Sequence, residues 1–326
     1  MKKIKVNFVD FWSSFNPQDN FILDALKKNF DVEISQNPDF LFCASFGKDF
    51  LKYDCVRIRY EGENLAPDFN LYDYALGFHY IDFDDRYLRF PHYLLYPEAC
   101  EKALKKHTLS DEDYAEHRKF CNYVISNALS APNRQQMIDT LNTYKTVDSG
   151  GKYKNNVGGP VPDKIEFEKN YKFTMTFENT SSNGYTTEKI MEGFAGATIP
   201  VYWGSPDIAK EFNPKSFINC HDFDSYEAVL EKLKEIDQND ELFLSMIKEP
   251  VICDDSQAGK YFDENYLSDY LMHICSQEKE SAYRRNRYYI GKRYEDDARM
   301  HGRLDRILLF PKRVIYSLKN RKARKK

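Results

Sequence analysis

The sequence predicts an α/β protein of two Rossmann-like lobes in succession, with a cleft between them. Three observations predict it. Short apolar strands alternate with helical patterns in two separate series, residues 3–60 and 119–236. The length, 326 residues, suits about two domains. The first series ends in a carboxylate loop and the second holds a polar loop before a helix, and ligands of open α/β sheets gather beyond strand ends of this kind.

In the first series, residues 3–9 alternate as a strand. Residues 19–30 follow with Ile22, Ala25, Leu26 and Phe30 at helical spacing. Residues 32–34 and 39–44 read as strands, 48–53 as a short helix and 56–60 as the next strand. The loop after it is Glu61-Gly62-Glu63-Asn64. Carboxylates at a strand's carboxyl end suit a general base; the alternative is an ordinary polar turn. Residues 100–118 are charged and weakly apolar, and are expected to link the lobes. The division expected is 1–117, 118–280 and a helical region with a tail over 281–326.

The second series opens with a strand over 119–127 and a helix over 133–144, with Arg134 in its first turn. A short strand over 147–151 and a helix over 163–170 follow. Residues 171–177 form the next strand. Then comes Glu178-Asn179-Thr180-Ser181-Ser182-Asn183-Gly184-Tyr185-Thr186-Thr187-Glu188-Lys189, opening a helix that runs to about Ala197. Asn, Ser and Gly let such a backbone take unusual dihedrals and approach a ligand. The helix start offers N–H groups and a positive dipole end to a phosphate. A capped helix start, with Thr186 or Thr187 as cap, explains the same residues. Residues 198–203 and 216–220 are strands, Ser205-Pro206 fits a cap and first helical position, and Ser225 caps a helix over 226–236.

Composition narrows the classes. No run approaches the ~18 apolar residues of a membrane span, and the first ten residues lack the apolar core of a signal peptide. Seven scattered cysteines with no CxxC pair argue against zinc and a disulfide framework, and fit a reducing cytoplasm. Net charge is −4, but residues 303–326 carry ten Lys/Arg and one acid, leaving −13 on residues 1–302. An acidic body is a poor nucleic-acid binder. The tail interleaves Ile307, Leu308, Leu309, Phe310, Val314, Ile315 and Leu318 with Arg and Lys, which suits an anionic membrane surface.

Phe177-Glu178-Asn179, Gly-Tyr-Thr-Thr-Glu-Lys over 184–189 and Ile-Pro-Val-Tyr-Trp-Gly-Ser-Pro over 199–206 together resemble the α1,3/4-fucosyltransferases. They are most similar to the bacterial members, including those of Helicobacter that decorate lipopolysaccharide with Lewis antigens. Gly62-Glu63-Asn64, Asp85-Arg86-Tyr87-Leu88-Arg89 and Ala131-Pro132-Asn133-Arg134 extend the resemblance. It implies a GT-B, metal-independent, inverting α1,3-fucosyltransferase. Such an enzyme moves L-fucose from GDP-β-L-fucose to the GlcNAc of a Galβ1,4-GlcNAc type glycan, with α1,4 transfer as the alternative. By resemblance Glu63 is the general base, Arg134 and Lys189 meet the donor phosphates, and Asn179, Tyr185 and Glu188 line the donor pocket, Glu188 on the ribose. No cofactor or divalent metal is expected. The partners expected are GDP-fucose, a lipopolysaccharide-type glycan and, through the tail, the inner-membrane surface.

Two other signals compete. Asp82-Phe83-Asp84 and Asp222-Phe223-Asp224 read as DxD, the mark of metal-dependent glycosyltransferases, but carboxylates at this spacing alone specify no coordination geometry. A non-enzymatic membrane- or RNA-docking protein would place its function in the tail. Trp203, Tyr202 and His221 read as structural residues.

Overall fold

A computed structural model of the chain describes residues 1–110, 114, 118–126 and 132–308. The described residues form two compact units: Met1–Pro91 with Lys260–Leu308, and His92–Gly259.

The first unit is built on a six-stranded parallel sheet in the order β2-β1-β3-β4-β5-β6. Its strands are β1 Lys2–Val9, β2 Phe30–Ile34, β3 Phe40–Cys43, β4 Val56–Tyr60, β5 Tyr74–Gly77 and β6 Tyr87–Arg89. All pairings are parallel, with Val6 opposite both Ile34 and Phe40 and Ile58 opposite Phe42 and Tyr74. Strands β3, β4 and β5 are buried along their whole length, as strands covered on both faces must be. Helix α1, Phe21–Lys27, starts where the Asn20 side chain accepts from Leu23 N at 3.0 Å, and buries Ile22, Leu23, Ala25 and Leu26.

Two arginines in β4 point into this interior, so each needs a partner. Arg57 donates to both carboxylate oxygens of Glu295 (3.1 and 2.8 Å), and Arg59 donates to Glu61 at 3.0 Å and Tyr72 Oη at 3.1 Å. Buried Asp73 ties the returning chain to the sheet. It accepts from the backbone N–H groups of Arg57 (2.8 Å), Arg284 (2.9 Å) and Arg285 (3.0 Å), and pairs with the Arg285 guanidinium.

The second unit has a five-stranded parallel sheet in the order β11-β10-β9-β7-β8. The strands are β7 Lys119–Tyr123, β8 Asp148–Ser149, β9 Tyr171–Phe177, β10 Ile199–Trp203 and β11 Ile218–Asn219. Its helices are α2 Pro97–Leu104, α3 Asn133–Asn142, α4 Lys164–Glu168, α5 Glu188–Ala195, α6 Tyr226–Asp237 and α7 Asp240–Ile247. Met137, Ile138 and Leu141 of α3 meet Val229, Leu230, Leu233 and Ile236 of α6 in one core. Each such side chain contributes roughly 1.5–3 kcal/mol on burial.

Three expectations change. The first part of the expected linker, residues 100–110, is not a plain linker: α2 packs on α5 and buries Ala99, Cys100 and Ala103, and Lys106 is buried beyond it, donating to Ile247 O and Glu249 O, while 111–113 and 115–117 lie outside the described residues. The alternation of Lys and Glu hid three small residues that form a narrow apolar stripe. The division at 117 and 280 moves to 91 and 259 for that reason, and because helix Tyr266–Cys275 packs on α1 and places Leu271, Ile274 and Cys275 in the first unit's core. Ser205 does not open a helix; only a short 3-10 turn, Ile208–Lys210, follows. The helix Tyr289–Leu308 leads into the basic tail, which from residue 309 lies outside the described residues. No helix of the described residues is long and apolar enough to cross a membrane.

Candidate active site

The polar stretch after β9 folds around one buried carboxylate. Glu178, 1% exposed, accepts from Thr187 N at 2.7 Å, from Thr187 Oγ1 at 2.9 and 2.7 Å and from Lys189 Nζ at 3.0 Å. Thr187 therefore sits at the N-cap of α5 without capping it: its hydroxyl donates to Glu178, and Glu178 draws the helix start onto the end of β9. The side-chain cap that the sequence suggested is replaced by a carboxylate from nine residues upstream. Gly204 permits this, because a Cβ there would meet the Glu178 side chain at 2.5 Å and the Tyr202 hydroxyl.

Gly184 turns the loop in the left-handed region (φ +84°), and its N–H donates to Ser205 Oγ at 2.8 Å and Asp207 Oδ1 at 3.1 Å. Tyr185, 2% exposed, gives its carbonyl to Tyr202 Oη at 3.3 Å, and that phenol accepts from Ser205 N at 2.8 Å. Ser205 and Tyr202 thus hold the loop, a role their sequence positions did not announce.

Arg134, in the first turn of α3 and 3% exposed, reaches the same place. Its guanidinium donates to Phe177 O at 2.9 Å, Glu178 O at 3.2 Å and Asn179 Oδ1 at 3.2 Å. Burial pulls its pKa down against the pull of Glu178, and the group remains a cation. Lys189, with a 23% exposed side chain, lies between Glu178 (3.0 Å) and Glu188 (3.3 Å). Burial disfavours its charge, but these two carboxylates outweigh that and hold its pKa above the ordinary range. Burial pushes Glu178 upward, with Lys189 opposing. For Glu188 burial loses to Lys189, His92 and Lys164, which bring it down to about 2. Two fixed cations and two carboxylates therefore meet at the carboxyl end of β9 and the start of α5.

The structure brings Arg134, Asn179, Tyr185, Glu188 and Lys189 into this one unit, as the sequence grouped them. It adds Glu178, Thr187, Ser205 and His92. Glu178 was legible as part of the motif, but a buried carboxylate on a lysine one turn into the next helix has no periodic signature.

Glu63 stands in the first unit, in the loop after β4. The two glutamates of that loop differ. Glu61 is buried, bonded to Ser45 and paired with Arg59, while Glu63 is exposed and its carbonyl accepts from Leu65 N at 2.7 Å. The fold thus commits the first to structure and leaves the second at the surface.

The DxD triplets take other roles. Asp84 sits in a left-handed turn (φ +51°), and its neighbour Asp85 pairs with Arg284 at 2.6 Å and His273 at 3.1 Å. Asp222 accepts from Asn219 Nδ2 at 2.9 Å. Among the described residues no group of three His, Cys, Asp or Glu is arranged to hold a metal. His221 Nε2 lies 3.2 Å from Gly204 O and its ring stacks on Trp203 at 5.9 Å, a structural position.

Comparison with known proteins fits this geometry. The N-terminal domain model of α-(1,3)-fucosyltransferase FucT matches residues 6–96, and the C-terminal model of glycosyltransferase family 10 (fucosyltransferase) matches 114–249. An α-(1,3)-fucosyltransferase FucT of Helicobacter pylori is 37% identical over 280 residues, 74% of this chain and 58% of that protein. The chain thus spans little more than half the length of that relative. A crystal structure of an α1,3-fucosyltransferase superposes with a TM-score of 0.74 at 29% identity, covering 89% of this chain and 93% of that one. Another, with GDP-fucose, gives 0.70 at 29% identity over 88% and 94%. Matched in both units by sequence and across most of its length by structure, the chain belongs to glycosyltransferase family 10, the fucosyltransferases.

Proposed function

We propose that the chain is an inverting α1,3-fucosyltransferase that moves L-fucose from GDP-β-L-fucose to the GlcNAc hydroxyl of a Galβ1,4-GlcNAc type glycan. The observation that carries this reading is the cradle of Arg134, Asn179, Glu178 and Lys189 at the start of α5. It presents two cations and a helix N-terminus to a diphosphate, in a chain whose relative was crystallised with GDP-fucose. In the reaction, Glu63 takes the acceptor hydroxyl's proton and the oxygen attacks C1 of fucose. The C1–O bond to the β-phosphate breaks, and its electron pair leaves with GDP, where Arg134 and Lys189 meet the charge. One displacement turns a β-linked donor into an α-linked product. Glu188 grips the ribose hydroxyls, and Asn179 and Tyr185 shape the pocket. The chemistry needs no metal in this account.

The acceptor reading places the enzyme in lipopolysaccharide biosynthesis with a Lewis X-type product, at the cytoplasmic face of the inner membrane. The charge of residues 303–326 supports that location, as it matches an anionic surface. Incubation with GDP-fucose and either N-acetyllactosamine or its β1,3-linked isomer tests the reaction. Transfer to the β1,4 isomer, continuing in EDTA, is expected; transfer to the β1,3 isomer alone would make the enzyme an α1,4-fucosyltransferase, and no transfer to either would refute the proposal. Co-sedimentation with phosphatidylglycerol vesicles, lost on removing residues 309–326, tests the location.

A further inference from the structure

One titratable group stands at the donor cradle without a part in the reaction above. The turn His92–Leu95 leads into α2, which lies along α5. This brings the His92 imidazole, 19% exposed, to the start of α5, where its Nε2 lies 3.9 Å from Glu188 Oε2. The other oxygen, Oε1, lies 3.3 Å from Lys189 Nζ. The Glu188 carboxylate therefore accepts from an ammonium at one oxygen and has an imidazole beside the other, at a distance too long for a direct hydrogen bond. Tyr96, one turn on, sets its ring 5.7 Å from that of His92 and forms the outer wall.

The remaining groups around Glu188 come from three elements: Lys164 of α4, Glu192 of α5 and Glu178 at the end of β9. Lys164 is engaged by Glu192 at 2.5 Å and by Glu168 at 3.7 Å, and Glu178 by Thr187 and Lys189. His92 is the group that faces Oε2.

Resting on the reading of Glu188 as the ribose ligand, we propose that His92 is a positioning residue of the donor site. By standing beside Oε2 while Lys189 bonds Oε1, it limits how far the carboxylate can turn, so that both oxygens present lone pairs to a vicinal diol. A carboxylate held this way accepts from the two ribose hydroxyls together, and a nucleotide lacking that diol gains nothing from it. His92 touches no reacting atom, so its loss weakens donor binding and leaves the chemical step alone.

The test compares GDP with 2′,3′-dideoxy-GDP by titration calorimetry on the full chain, in wild type, Glu188→Gln, His92→Ala and His92→Gln. Wild type is expected to prefer GDP by about tenfold or more, the worth of a charge-assisted hydrogen bond. Glu188→Gln should abolish the preference. His92→Ala should cut it at least about threefold, and His92→Gln, which can still reach Oε2, should restore part of it. In turnover, His92→Ala should raise the KM for GDP-fucose while kcat stays within about twofold. If Glu188→Gln loses the preference and both His92 variants keep it, the positioning role is overturned and the reading of Glu188 stands. If Glu188→Gln keeps it, the reading of Glu188 itself fails, and the role of His92 with it. A purely structural His92 would lower stability and leave the GDP to dideoxy-GDP ratio at the wild-type value. If His92→Ala does not fold, the ratio in His92→Gln decides: a wild-type value overturns the role, an intermediate one supports it.

Discussion

Replacing Glu178 by Gln removes one negative charge from the centre of the cradle and changes almost no volume. The amide oxygen can still accept from Thr187 N, the 2.7 Å bond that draws α5 onto β9. The amide nitrogen, however, now faces Lys189 Nζ, an obligate donor, where Glu178 Oε2 accepted at 3.0 Å, and can meet the Thr187 hydroxyl only at an oxygen that already accepts from Lys189 at 2.8 Å. Losing a hydrogen bond to a charged partner costs about 1.5–3 kcal/mol, and stranding the other half of a buried pair about 3–5. The Lys189 side chain is 23% exposed and keeps Glu188 at 3.3 Å, so water and a second carboxylate recover part of this. The expected loss is about 2–4 kcal/mol.

Urea denaturation measures it, followed by the fluorescence of Trp203, whose ring lies 6.0 Å from that of Phe177. The chain's other tryptophan, Trp12, is removed by Trp12→Phe, so that the signal reports the second unit alone. With a slope of about 2 kcal/mol per molar, the midpoint should fall by about 1–2 M. Adding Lys189→Met to Glu178→Gln should cost less than adding it to wild type, because the charge it removes has already lost its partner. A midpoint shift below about 0.3 M, or additive losses, would refute the view that Glu178 organises the cradle.

Three further outcomes follow from buried charges. Asp73→Ala strands three backbone N–H groups and leaves the Arg285 guanidinium only Cys55 O and the more distant Glu295, and should destabilise the first unit by about 3–5 kcal/mol in urea melts read by Trp12. Glu188, lowered from 4.5 to about 2, contributes stability that is present above pH 4.5 and lost as pH falls towards 2. Glu188→Gln should flatten the acid limb of the stability profile in that window. Glu168 is the opposite case: fully buried, with burial outweighing Lys164 at 3.7 Å, it is raised from 4.5 to about 7. Wild-type stability should therefore fall as pH rises from 4.5 through 7, and Glu168→Gln, which keeps no charge to desolvate, should be more stable by about 1–3 kcal/mol near pH 8.

Much of the fold was legible because strand periodicity and burial coincide. Residues 171–177 and 56–60 are apolar at the spacing the pleat requires and became β9 and β4 with the same bounds. Ser225 capped its helix as its position implied, accepting from Ala228 N at 3.2 Å. What failed rested on contacts distant in sequence. α2 looked like a linker because its buried face is Ala99, Cys100 and Ala103, too small to raise local hydrophobicity. The return of residues 260–308 to the first unit depends on Asp73 meeting Arg284 and Arg285 more than two hundred residues later. At the site, Arg134 and Lys189 were visible as cations in first turns. That Lys189 is paired with Glu178, and that His92 faces Glu188, follows only from three dimensions. Glu63 was named by resemblance alone; that Glu61, two residues before it, is committed to Arg59 also follows only from three dimensions.

The proposed proton acceptor, Glu63, belongs to one unit and the proposed donor cradle to the other, so binding and chemistry should separate cleanly by mutation. Glu63→Gln keeps shape and hydrogen bonding at an exposed position while removing the base. Pre-steady-state transfer from GDP-fucose to N-acetyllactosamine should slow by about 10²–10⁴-fold, with the dissociation constant for GDP-fucose unchanged within about twofold. Turnover at the wild-type rate, or a loss of donor binding in step with the loss of rate, would contradict it.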